Sequence, residues 1–373
     1  MDLTRIREEF PVTKNYVFLN HAAVSPISLR SAKAVQEFLE DSLSKGTTNY
    51  GEWLQRVKGA RNAFAYLLHA SPEEIAFVKN TTEGISLVAN GFPWQAGDNV
   101  ITAAIEFPSN VYPWWNLAPL GVETRMAESR GGRILYEDIV SLADDKTRVI
   151  SLSSVEFSNG FRNDLKRVGR FCRERGIYFC VDAIQGLGAL ELDVEDCQID
   201  FLAADGHKWL LSPEGCGGFY CSKRVMEQLS VRNVGWHSVI NDANYLDYDL
   251  TLEPSAKRFE EGSMNIMGIF ALGAALDMIL EIGIKQIEKR VIYLTDLIIQ
   301  GMREKGYEIL SSLISEERSG IVSFQSPSLS ATEIYRKLLQ ANIVISVREG
   351  ALRVSPHFYN TEEEIEVFLQ TLP

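Results

Sequence analysis

Residues 203–218, AADGHKWLLSPEGCGG, set an apolar, strand-like run ahead of Asp205, Gly206, His207 and Lys208, then roof them with Trp209, Leu210 and Leu211. A lysine in that setting is desolvated, paired or chemically used, because burying an ammonium without compensation is costly. Upstream, the run GIYFCVD ends in Asp182, and Gln185 follows three residues later. A second polar stretch, KNTTEGISLVANGF, puts Thr81 and Thr82 between a strand-like AFVK and an apolar-periodic helix. Each has a plain structural reading. Asp182 caps a helix, Lys208 snorkels past Trp209 to solvent, and the threonines cap the helix they precede.

Their joint chemistry is more specific. A desolvated amine has a lowered pKa and can form a Schiff base with a carbonyl cofactor. Such a lysine partners pyridoxal phosphate, whose ring nitrogen needs an acid, and Asp182 supplies one. The helix after Asn80 offers free N–H groups and the positive end of its dipole to a phosphate, with the threonine hydroxyls as further donors. Competing motifs are broken. Gly186 and Gly188 follow a strand, but the third glycine of a dinucleotide fingerprint falls at Glu191, which disfavours a nucleotide-dependent dehydrogenase. The five histidines (21, 69, 207, 237, 357) show no metal-binding spacing.

The elements that must position these residues alternate. NVITAAI (99–105), RVISLSSV (148–155), GIYFCVD (176–182) and DFLAAD (200–205) read as buried strands, and Leu165–Arg175 reads as an intervening helix. That pattern predicts βαβ units, a mainly parallel sheet with helices on both faces, and ligands beyond the carboxyl ends of the strands. After about residue 250 the texture changes. EGSMNIMGIFALGAALDMILEIGIKQIEKR reads as one long buried helix. SGIVSFQS (319–326) and ALRVS (351–355) read as strands around a helix beginning near Ser330, and a capping box at Thr361 opens a last helix. The expectation is a large domain over 21–250 and a smaller α+β C-terminal domain over 251–373, with residues 1–20 an N-terminal segment packing on the small domain.

Composition narrows the partners. The chain has 373 residues, 46% hydrophobic and 23% charged, and a net charge of −13. That balance argues against nucleic acid and anionic membranes, which call for basic patches. MDLTRIREEF has no apolar core of a signal peptide, and no apolar run reaches transmembrane length. Five scattered cysteines without CxxC pairs read as reduced thiols, so a cytoplasmic protein is expected.

In order along the chain, YVFLNHAAVSP, NTTEGI, EFPSNVYPWW, SVEFSNG, VDAIQ, DGHKWLLSPEG, RFEEGSMN and SVREGALRVS resemble the fold-type-I pyridoxal-phosphate enzymes, specifically the class V aminotransferase and cysteine-desulfurase family. The resemblance implies that fold and that cofactor. Lys208 matches the Schiff-base lysine and Cα-proton carrier, and Asp182 the partner of the ring nitrogen. Gln185 matches the donor to the ring hydroxyl, and Asn159 and His21 fall at substrate-side positions. Thr81, Thr82 and His207 match the phosphate cradle. Ser263 matches a hydroxyl reaching the phosphate of a neighbouring subunit, which implies a homodimer with shared sites. Arg353 matches the clamp on the carboxylate of a small α-amino acid.

The chain departs from the desulfurase pattern in three places. Phe107 stands where a ring-stacking histidine is expected. No cysteine follows Cys221, so the loop before Arg353 lacks the persulfide cysteine. Asp205 stands where many members have a phosphate-binding hydroxyl, and an acid beside a phosphate needs a bridge such as His207. The implied activity is a class V aminotransferase. Alternatives are a cysteine or cystine C–S lyase, an amino-acid epimerase, and a pyridoxal-phosphate-binding regulator without catalysis.

Overall fold

The computed structural model describes residues 2–373. Its main sheet comprises β1 (Ile75–Val78), β2 (Asn99–Ala103), β3 (Glu123–Ala127), β4 (Thr147–Ser153), β5 (Tyr178–Asp182), β6 (Phe201–Asp205) and β7 (Gly217–Cys221). The spatial order is β1-β7-β6-β5-β4-β2-β3. Strands β2 to β6 run parallel, and β7 is antiparallel to both β6 and β1. Every residue of β1, β2, β6 and β7 is buried, as a sheet covered by helices on both faces requires.

Helix α1 (Leu29–Lys45) and helix α2 (Tyr50–Leu67) precede the sheet, α3 (Thr81–Gly91) follows β1, and α4 (Leu165–Arg175) joins β4 to β5. The bounds of α4 are those read from the sequence. It buries Leu165, Val168 and Cys172 on one stripe and ends at Gly176, whose left-handed φ of 68° suits the residue after a helix. Gly84 lets α3 settle directly on β6. A Cβ there would lie 2.6 Å from the Cβ of Ala203.

The single helix expected over 261–290 is two helices, α5 (Ile266–Ile282) and α6 (Ile284–Glu304), bent by 82°. Gly283, at φ 88°, ends the first and begins the second. Helix α5 packs against α1 and α2, and α6 leads into the second sheet. That sheet holds β8 (Glu308–Ile309), β9 (Val322–Gln325), β10 (Ser346–Arg348) and β11 (Ala351–Val354), in the order β8-β9-β11-β10. Helices α7 (Ala331–Gln340) and α8 (Glu362–Thr371) pack on it, each opened by a complete capping box at Ser330 and Thr361. Near the N-terminus, Val17 and Phe18 pair in parallel with Ile343 and Val344. Among the described residues no single helix is long and apolar enough to cross a membrane.

Candidate active site

The carboxyl ends of β5 and β6 lie side by side, with Asp182 paired to Ala203, and deliver Asp182 and Asp205 to one edge. Lys208 sits three residues past β6 in a rigid turn. Gly206 N donates to Cys216 O (3.0 Å), Ser212 N to Gly206 O (3.0 Å) and Leu211 N to Lys208 O (3.1 Å). Leu211 adopts a left-handed φ of 59°, a conformation that costs a residue with a side chain and marks a tightly determined turn. Below it, the buried Trp209 donates its indole N–H to Gln185 Oε1 at 3.1 Å. The sequence raised a snorkelling lysine, but Lys208 is only 8% exposed.

Burial pushes the Lys208 amine down to about 8. Asp182 and Asp205 oppose that shift, and Arg353 and Arg348 assist it. Asp182 starts no helix. Its Oδ1 accepts from Ile184 N at 3.0 Å. Its Oδ2 is buried without a donor. Burial lifts this carboxyl to about 6, with the Ile184 amide and Lys208 holding it down.

These groups line a cavity of about 250 Å³. The N-terminus of α3 forms one wall, where Thr81 Oγ1 accepts from Asp205 N (3.0 Å) and keeps its own proton free to donate. Thr82 donates to Ser109 Oγ at 2.7 Å, which brings an unanticipated hydroxyl to the same wall. His207 Nδ1 lies 2.9 Å from Asp205 Oδ2, so the acid faces the imidazole. Gln185 also reaches the cavity, and its Nε2 donates to Ala22 O at 3.0 Å.

A cationic wall closes the other side. Arg353 is 1% exposed, donating from Nε to Ser346 Oγ (3.2 Å) and from Nη1 to Phe157 O (2.6 Å), while its Nη2 is buried without a partner. Arg348 lines the cavity too, a residue the sequence reading did not single out. The Glu349–Gly350 turn has both φ angles positive (47° and 79°) and links β10 to β11 as a two-residue hairpin. That hairpin sets Ser346 opposite Arg353 and Arg348 opposite Ala351. A Glu-Gly pair between two short apolar runs is the signal that would have placed Arg348 beside Arg353.

The aromatic wall is Phe107, 42% exposed, and Phe157, packed edge-to-face with ring centres 5.2 Å apart. Lys208 Nζ lies 5.5 Å from the Phe107 ring centre. Three expected residues stay outside the cavity. Asn159 spends its amide on the local loop, donating to Gly132 O (2.6 Å) and accepting from Phe161 N (3.0 Å), so Phe157 rather than Asn159 reaches the cavity from that turn. His21 is fully buried, with Nδ1 at 2.8 Å from Ser355 O and Nε2 at 2.6 Å from Tyr359 Oη. Burial holds it neutral, and its neighbours Ala22 to Val24 face the cavity instead. Ser263 lies exposed in the turn before α5 and does not border the cavity of its own chain.

All five cysteines are buried and unbonded. None lines the cavity, Cys216 included, and burial raises each thiol above its usual range. A larger cleft of about 750 Å³ lies between α4 and residues 314–317. Arg162 pairs there with Glu288 at 2.7 Å, and Arg133 with Glu317.

The residues present suit pyridoxal phosphate. A desolvated amine, an orphaned carboxylate oxygen and a hydroxyl-lined helix N-terminus face one cavity, matching its aldehyde, ring nitrogen and phosphate. The class-V aminotransferase family model matches residues 17–368. A probable cysteine desulfurase of Methanothermobacter thermautotrophicus is 31% identical, over 98% of this chain and 96% of that protein. Among solved structures, apo cysteine desulfurase from Thermococcus onnurineus superposes with a TM-score of 0.89 at 24% identity, covering 98% of this chain and 96% of that one. The cystine C–S lyase C-DES, in complex with its product cysteine persulfide, also gives 0.89 at 23% identity, covering 97% and 98%. These two likenesses establish the fold. With the family match spanning nearly the whole length, the chain belongs to the class-V aminotransferases and is a pyridoxal-phosphate-dependent enzyme.

Proposed function

We propose that this enzyme acts on a small α-amino acid by removing its Cα proton with Lys208 as the single base, and that transamination is the outcome. The observation that carries this reading is the Lys208 amine, the one lysine on the cavity wall, poised near neutral pH and facing Asp182. When bound, pyridoxal phosphate supplies the electron sink that makes a Cα proton acidic. Asp182 would hold the ring nitrogen through its free Oδ2. Gln185 would use its remaining N–H toward the ring hydroxyl. Thr81, Thr82, Ser109 and the first amides of α3 would hold the phosphate, with His207 shielding it from Asp205. Arg353 would hold the substrate carboxylate through its free Nη2, a charge-assisted contact that its other bonds orient. Phe107 would stack on the ring without moving protons.

One base serves transamination, for which the Lys208 amine would both take up the Cα proton and give it back on the same face. Epimerisation needs a second base on the opposite face, and the aromatic wall supplies none. A second reading, β-elimination by a C–S lyase, is favoured by the desulfurase and cystine-lyase names among the similar proteins. A thiolate leaves with little acid assistance, so Lys208 alone suffices there as well. The test is to feed the loaded enzyme single amino acids. Stoichiometric keto acid supports transamination, whereas pyruvate and ammonia, together with sulfide from cysteine or cysteine persulfide from cystine, support the lyase. Silence toward every amino acid overturns both.

The working form is proposed to be a homodimer. Leu43, Leu246 and Tyr248 are 87%, 89% and 92% exposed, apolar surface that a second copy would cover. Ser263 of each chain would then serve the other chain's phosphate site. Sedimentation mass at micromolar concentration tests this, and a monomer refutes it. The reduced, unpaired thiols fit a cytoplasmic setting.

A further inference from the structure

Behind Asp182 lie two more carboxyl groups that the chemistry above leaves unused. Adjacent strands bring them together. Glu106 follows β2, Glu156 follows β4 and Asp182 ends β5. Their exposures are 7%, 0% and 1%. Glu106 accepts from the Ser153 amide at 2.6 Å and from the Ser153 hydroxyl, and Ser153 is the β4 residue directly opposite Asp182. Glu156 Oε1 accepts from Asn163 Nδ2 at 2.8 Å, while its Oε2 is buried with no partner.

Among the described residues no cation opposes either glutamate. The polar and titratable groups facing the cluster are Asn110, Cys180, Ser153 and Asn163, and of the three acids Lys208 acts on Asp182. Burial pushes Glu106 and Glu156 upward, and each acid's proximity to its neighbours adds to the push. Three ionised carboxylates cannot share such a region, because like charges at short range in a dry interior hold protons instead.

We propose that Glu106 and Glu156 retain at least one proton between them at neutral pH, carried by Glu156, so that Asp182 is kept ionised and is presented to the cofactor ring. Glu156 is thus a positioning residue. This goes beyond the proposed reaction and rests on it only for what the Asp182 charge is used for.

Infrared spectroscopy of the cofactor-free chain, labelled with ¹³C-glutamate, tests the proton directly. At neutral pH the wild type should show a protonated-carboxyl C=O band that shifts with the label, fades on alkaline titration and loses intensity in E156Q. A wild-type spectrum without that band overturns the proposal, and this holds even if E156Q fails to fold. Stability gives a second readout. The folded chain keeps a proton that the unfolded chain releases above the ordinary value of 4.5, so this contribution is full at acid pH and is lost as pH rises. The wild-type Tm should therefore fall with pH more steeply than that of E156Q. Parallel curves count against the proposal. Failure to take up pyridoxal phosphate would instead sink the reading of the cavity while leaving the band in place.

Discussion

The two sides of the cavity meet the same desolvation problem with opposite means. On the cationic wall, Arg353 and Arg348 stand without a carboxylate partner, and an arginine cannot shed its charge. That wall is complete only when an anion arrives. On the acidic floor, Glu106 and Glu156 also lack cations, but carboxyl groups can take up protons and wait. Lys208 sits between the two, with the acids raising its pKa and the arginines lowering it. The contrast teaches that charge left unpaired in a folded chain marks where a ligand's opposite charge belongs, whereas charge removed by protonation tunes its neighbours.

Breaking the link between the walls should have the largest effect. Lys208→Ala should cut turnover by at least roughly a thousandfold and leave no borohydride-fixed cofactor on the chain. Near-normal turnover would remove Lys208 from the chemistry. Asp182→Asn removes the carboxylate proposed for the ring nitrogen and should slow Cα-proton exchange by about a hundredfold, read as loss of deuterium washout. An unchanged rate would mean that the ring nitrogen finds its partner elsewhere. Arg353→Lys keeps the charge but not the fork, so KM should rise about tenfold or more with a smaller change in kcat.

A pH series sharpens the comparison without a mutation. Only the neutral amine attacks an aldehyde, so capture of pyridoxal phosphate by the empty chain should accelerate as pH rises through about 8. An inflection near the ordinary lysine range would show that burial does not tune this amine. The smallest effect falls on the phosphate end. Gly84→Ala forces α3 off Ala203 and should cost about 1–3 kcal/mol of stability, seen in urea denaturation, with weaker cofactor retention.

Much of this layout is legible in sequence because it is local. Strands β4 to β6 declare themselves by continuous apolar runs, and Asp182 and Lys208 stand out as the polar residues that end or follow them. What escaped depends on distant contacts. His21 is withdrawn by Ser355 and Tyr359, more than three hundred positions away in the chain. Asn159 and Phe157 are two residues apart in one turn, and only the folded loop decides which faces inward. Glu106 and Glu156 look like ordinary surface acids until the parallel order of β2, β4 and β5 buries their strand ends together. The break at Gly283 was readable in principle, because a glycine ending an apolar period is a stop signal.

The burial of all five thiols has a practical consequence. A reagent that alkylates cysteine can reach them only when the chain opens, so the pace of labelling in native buffer becomes a clock for unfolding. Cys180 lies within β5, Cys221 ends β7 and Cys172 lies in α4, so the order in which they react would map which layer of the sandwich lets go first. A ligand that fills the cavity should slow that clock by mass action, giving an assay for bound substrates that requires no knowledge of the reaction they undergo.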